Sequence, residues 1–126
     1  MEKELVIRKC KSCGARVEVL EDCTCDDCGI KCCGEVMEKL VANSVDASAE
    51  KHVPTYEKVD DQIKVVVNHP MEEEHYIEWV ELVTADRRCR KFFKPGETAE
   101  AMFNYTPGAT IYAYCNQHGL WSAVVE

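Results

Sequence analysis

Seven of the nine cysteines fall within the first 33 residues of this 126-residue chain, and that crowding constrains the fold more than any other feature. Around them the chain offers only two short strand-like runs, "ELVIRK" and "ARVEVLE". A segment of about 40 residues with so few apolar side chains cannot bury enough surface to hold itself together, and needs a metal or disulfides as a staple.

The choice between those staples follows from context. The opening "MEKELVIRKC" is charged at once and has no apolar stretch of the signal-peptide kind, so a cytoplasmic location is expected. The cytosol keeps thiols reduced, which favours metal ligation over disulfides. An odd cysteine count also leaves any full pairing scheme incomplete. No apolar run approaches the ~18 residues of a membrane span, so no membrane association is expected. The formal net charge of −8 argues against nucleic acid as a partner, because phosphate neutralisation needs a basic surface. An anionic substrate would have to be drawn by local positive charge.

From about Val53 the grammar changes to short β-rich runs: "QIKVVVN", "YIEWVELV", "CRKFF", "AMFNY", "TIYAYC" and "WSAVVE". Turn signals such as "KPGE" and "TPGAT" separate them. The run "YIEWVELV", with Ile77, Trp79 and the acidic Glu78 and Glu81, reads as alternating, as expected of a strand with one face buried. Regular short strands with Pro-Gly turns predict an antiparallel sandwich or barrel. The small, polar stretch "LVANSVDASAEK" between the halves fits a linker or a short helix.

Within the first half, Cys10 and Cys13 form a C-x-x-C followed by Gly14, a spacing that lets one turn present two sulfurs to one ion. A tetrahedral site needs two more sulfurs. Cys25 and Cys28 form a second knuckle, which would make a zinc ribbon or rubredoxin-like pair; Cys32 and Cys33 form a vicinal pair, which would make a different iron site. Spacing leaves both open. A zinc staple without chemistry is the plain alternative, and Cys23 reads as an unligated thiol.

The chain holds four histidines: His52, His69, His75 and His118. Singly, each reads as a surface or hydrogen-bonded side chain. Cys115, three residues before His118, changes the reading, because a thiolate and an imidazole after a strand can be aimed at one point. Convergence of all five would give more ligands than structural zinc takes, and would suit a redox-active iron with one open position. A blue-copper carrier also ends a strand in Tyr-Cys-x-x-His, but uses two histidines, and here no methionine follows His118.

Together "EKHVP", "HPMEEEHYIEWVEL", "KFFKPGE" and "YCNQHGLW", preceded by C-x-x-C and "CCGEVM", closely resemble the desulfoferrodoxin family, the two-iron class of superoxide reductase. The resemblance spans nearly the whole chain. It implies a mainly β protein: a desulforedoxin-like iron-binding domain over residues 1–40, a linker over 41–52 carrying the first catalytic-site residues, and an immunoglobulin-like antiparallel β-sandwich over 53–126. It implies two irons per chain, one held by Cys10, Cys13, Cys32 and Cys33, the other by His52, His69, His75 and His118 with Cys115 axial. The segment carrying Cys23, Cys25 and Cys28 is longer than the family pattern, which keeps Cys25 and Cys28 as alternative ligands. The implied reaction is one-electron reduction of superoxide to hydrogen peroxide, with Lys51 attracting the anion and orienting a water, and Glu50 completing the ferric coordination. A rubredoxin-like electron donor and a homodimer are implied as well.

Overall fold

In a computed structural model of the protein, residues 4–24, 29–44 and 49–126 are described; Cys25 and Cys28 lie outside them, as does the side chain of Glu50. The chain divides into two compact units, Glu4–Val41 and the residues from Ala42 to Glu126. Almost all of the regular structure is antiparallel β-sheet. Among the described residues, no helix is long and apolar enough to cross a membrane.

In the first unit, β1 (Val6–Lys9) lies between β2 (Arg16–Val19) and β5 (Glu38–Lys39). A separate hairpin pairs β3 (Lys31–Cys32) with β4 (Glu35–Val36). Its two-residue loop is Cys33-Gly34, with φ of 55° and 80°. Left-handed conformation at both loop positions matches the twist of the flanking strands. At Cys33, which has a Cβ, it costs about 1 kcal/mol, so something must hold that thiol where it is. Among the described residues, the unit's buried apolar side chains are few: Leu5, Ile7, Val19 and Met37 beside Cys10. A core this small does not sustain a fold unaided.

The second unit is a sandwich of two sheets. The strands β6 (Thr55–Val59), β7 (Gln62–Val66) and β10 (Glu100–Asn104) form one sheet in the order β10-β7-β6. The strands β8 (Ile77–Val83), β9 (Arg88–Phe92), β11 (Thr110–Cys115) and β12 (Gly119–Val124) form the other, in the order β12-β11-β8-β9. Alternate residues fill the space between: Ile63, Val65 and Val67 on one side, Ile111, Ala113 and Cys115 on the other, with Ala101 and Phe103 from β10. This is the period of two expected of strands with one face inward.

Two features depart from the sequence reading. Strand β6, "TYEKV", carries no buried side chain in its five positions, so it lacks the alternation that marks a strand. Strand β8 breaks its own alternation: Ile77, Val80 and Leu82 enter the core, because the pairing with β11 shifts register between Tyr114 and Cys115. One extra residue at this bulge sends Trp79 and Glu81 to the outer face. Glu81 is nevertheless only 2% exposed, and Arg90 donates to its carboxylate at 2.7 Å. The acid expected at the surface is a buried ion pair.

Candidate metal centres

The ends of five elements of the second unit deliver five metal-ligating side chains to one place. A single helical turn, α1 (Ala49–His52), ends on His52. His69 follows β7, His75 precedes β8, Cys115 ends β11, and His118 lies in the turn into β12. His52 and His69 are buried and Cys115 is fully so, while His75 and His118 are half-buried. The site is thus closed behind the thiol and open on the side of the last two rings.

The four imidazoles form a four-sided ring. Neighbouring ring centroids are 4.7 Å apart for His52–His69, 4.5 Å for His69–His75, 5.0 Å for His75–His118 and 4.9 Å for His118–His52. Across the diagonal, His52 and His75 are 6.3 Å apart. Their inward nitrogens are Nε2 of His52, His69 and His75 and Nδ1 of His118, separated by 3.1–3.2 Å along three edges. A square of that edge has its corners about 2.2 Å from its centre, close to the roughly 2.0–2.1 Å of a metal–imidazole bond. The Cys115 Sγ lies to one side, 3.5 Å from His69 Nε2 and 3.9 Å from His118 Nδ1.

Hydrogen bonding does not account for this convergence. His118 Nδ1 faces His52 Nε2, His75 Nε2 and Cys115 Sγ at once, yet a ring nitrogen carries one proton or one lone pair. A cation at the centre satisfies all five donors together. His69 is prepared for that role: its Nδ1–H donates to the Pro70 carbonyl at 2.5 Å, which leaves Nε2 with its lone pair inward. Burial, the largest influence, holds the His69 pKa below its ordinary value, so the ring stays neutral and able to ligate. Burial also pushes the Cys115 thiol up, opposed by the amides of Gln117 and His118; a bound cation reverses that balance and favours the thiolate. Five donors exceed the four of structural zinc, and four imidazoles exceed the two of a blue-copper site.

The supporting residues were not evident from the sequence as such. Asn116 accepts from the Tyr76 amide at 3.0 Å and donates to the Glu74 carbonyl at 2.9 Å. Gln117 donates to the same carbonyl at 2.6 Å. These bonds staple the Cys115–His118 turn to the loop carrying His75. Trp121 donates its indole N–H to the His118 carbonyl at 3.1 Å, and its ring stacks on His52 at 4.8 Å. The signal was present in the polar and aromatic residues within and beside the Cys-x-x-His motif, "CNQHGLW". Lys51, next to His52, is exposed.

In the first unit Cys10, Cys13, Cys32 and Cys33 bring their sulfurs within 4.8 Å of one another. Cys13 and Cys32 are 3.6 Å apart, and Cys32 and Cys33 are 3.9 Å apart. A tetrahedron with roughly 2.3 Å from centre to corner, the metal–thiolate length, has edges of about 3.8 Å. The knuckle is built by backbone bonds, with the Gly14 amide on the Cys10 carbonyl at 3.0 Å and the Cys10 amide on Ala15 at 2.8 Å. The Cys13 amide is the main cause that lowers the Cys10 thiol to about 7, while the neighbouring thiols, Cys13 first, push Cys32 up to about 12. One negative charge is thus readily held among the four, and more require a cation. Cys23, expected as a free thiol, is in a disulfide; it stands in the exposed segment after β2, outside the sulfur cluster.

Comparison with known proteins agrees with this arrangement. The family profile described as Desulfoferrodoxin matches residues 44–124. The chain is similar to a desulfoferrodoxin of Syntrophotalea carbinolica, 43% identical over 98% of each chain, and to one of Nitratidesulfovibrio vulgaris, 42% identical over 98% of each. Its structure is similar to that of the superoxide reductase from Treponema pallidum, with a TM-score of 0.71 and 30% identity, covering 96% of this chain and 99% of the other. With the family profile matching residues 44–124 and relatives 42–43% identical over almost the whole of both chains, the chain belongs to the desulfoferrodoxin family.

Proposed function

We propose that this protein is a superoxide reductase, an oxidoreductase that converts superoxide, one electron and two protons into hydrogen peroxide. The observation that carries the reading is the five-donor site: four imidazoles in a ring and one buried thiol on one side, residues that would hold an iron ion and leave it able to take a small anion. Iron bound there supplies a one-electron couple and an open coordination position. The similarity to the Treponema pallidum superoxide reductase over almost the whole of both chains supports the same conclusion.

The chain's own residues divide the work. His52, His69, His75 and His118 hold the ion, and the Cys115 thiolate donates electron density from the closed side. Trp121, Asn116 and Gln117 keep two of those rings and the thiol in register. Lys51, exposed and next to the ligand His52 on a chain whose net charge is −8, would attract the anion and hold a water that delivers protons. Glu50, by the family resemblance, would offer a carboxylate to the oxidised iron. Cys10, Cys13, Cys32 and Cys33 hold the second iron.

A rubredoxin-like protein serves as electron donor, the working form is a homodimer, and the setting is the cytoplasm. The donor reading rests on the need for one electron per turnover, and the dimer on the small core of the first unit. The test is stoichiometric. Iron-loaded, pre-reduced protein mixed with superoxide yields one hydrogen peroxide per superoxide consumed; one peroxide per two superoxides would identify dismutation and overturn the reading.

A further inference from the structure

Between residues 87 and 94 the chain reads "RRCRKFFK". Five of its fifteen Lys and Arg residues stand in these eight positions, with no acid among them. On a chain of net charge −8 this is the most concentrated positive charge, and it lies on β9, the edge strand of the four-stranded sheet. Arg87, Cys89, Lys91 and Phe92 are exposed, Phe92 to 68%. Beside the strand lies a recess of about 610 Å³ lined by Arg87, Cys89, Lys91, Met102 and Asn104.

Beneath that edge an aromatic row crosses the sheet. Phe92 pairs with Trp79 in register, and Trp79 with Tyr114. The Trp79 and Tyr114 rings are stacked, 5.8 Å apart and 15° from parallel. The Arg90 guanidinium lies 4.2 Å over Trp79 and 5.8 Å from Phe92, held by its bond to Glu81. Phe92 is exposed, whereas Trp79 and Tyr114 are 5% and 2% exposed. The residue after Tyr114 is Cys115, the thiol on the closed side of the five-donor site.

We infer that β9 is the docking edge for an acidic one-electron carrier protein, and that its electron enters through Trp79 and Tyr114 to Cys115. This rests on the superoxide reductase reading and names where its reductant binds. One electron leaves the reduced carrier and arrives at the ferric centre; no bond is made or broken and no proton moves. Entry behind the thiolate leaves the side away from Cys115 to the anion, so carrier and substrate do not compete. Charge complementarity selects the occupant: a second copy meeting β9 through a two-fold axis would set like charges opposite each other, whereas an acidic partner is steered to the strip.

Binding is tested with the iron-loaded protein and a zinc-substituted rubredoxin, which is acidic and redox-silent, by calorimetry at low and high salt. The double variant Arg87→Glu, Lys91→Glu is expected to raise the Kd at least about tenfold, with Lys51→Glu leaving it unchanged. Equal binding by the double variant, or loss of binding in Lys51→Glu, would overturn the assignment, as would a double variant that changes only self-association. The route is tested by stopped-flow reduction with saturating iron rubredoxin: Trp79→Leu slows the electron at unchanged Kd, and Trp79→Phe restores it. Phe92→Ser, at an exposed position, serves where Trp79→Leu does not fold, and is expected to slow the same step. Unchanged reduction rates in the folded variants would overturn the route. The reaction of the pre-reduced double variant with superoxide stays at the wild-type rate; absence of that reaction in the wild type would instead be a failure of the functional reading.

Discussion

The indole of Trp121 touches two ligands at once, stacking on the His52 ring at 4.8 Å and bonding the His118 carbonyl at 3.1 Å. These ligands come from opposite ends of the second unit, 66 residues apart. One side chain thus fixes one edge of the imidazole ring.

Trp121→Phe is expected to keep the stacking surface and lose the hydrogen bond, costing about 1 kcal/mol. Trp121→Ala removes both and is expected to cost about 3–5 kcal/mol. It should also weaken metal retention by about 10–100-fold, as for other groups that orient ligands. Denaturant unfolding and competition with a chelator measure the two effects.

Asn116 joins the Cys115–His118 turn to the His75 loop through a donated and an accepted bond. Asn116→Ala is expected to lower stability by about 1–3 kcal/mol, because the Tyr76 amide loses its partner. Asn116→Asp keeps that acceptor and loses the donor, so it should recover part of the loss. Thermal unfolding of the metal-loaded variants checks the order.

At the first cluster, Cys32→Ser is expected to release the metal and unfold residues 4–41, since the remaining core is Leu5, Ile7, Val19 and Met37. The sandwich should keep its own metal. Cys25→Ser and Cys28→Ser should retain both metals. Metal analysis with amide exchange resolves the two units; loss of the first metal in Cys25→Ser with retention in Cys32→Ser would reassign the ligands.

Lys51→Ala should leave the catalytic iron bound while slowing the encounter with superoxide, and the rate should lose much of its ionic-strength dependence. Cys115→Ser should disturb the site's colour and metal affinity instead. Pulse-generated superoxide and absorption spectra separate the outcomes. A wild-type rate with unchanged salt dependence in Lys51→Ala would reduce it to a solvated side chain.

Arg90→Leu leaves the Glu81 carboxylate, 2% exposed, without its 2.7 Å guanidinium partner. A buried charge that loses its counterion costs about 3–5 kcal/mol. Denaturant unfolding at neutral pH is the measurement.

By itself the sequence determined the β class, the cysteine-dependent first segment and the pairing of Cys115 with His118, because strand alternation, ligand spacing and Pro-Gly turns are local properties. Only the tertiary structure decided what depends on distant partners. Strand β6 has no alternation and exists through its register with β7. Glu81 leaves the core face because a bulge opposite Tyr114 and Cys115 turns β8 over, and it is buried on the outer face against Arg90, events that no window along β8 records. Spacing left two cysteine pairs open to join Cys10 and Cys13; the left-handed Cys33-Gly34 loop brings Cys32 and Cys33 to them. The imidazole ring itself joins positions 52, 69, 75 and 118, and its closure at 3.1–3.2 Å depends on the sandwich core that sets the ends of β7, β8 and β11 side by side.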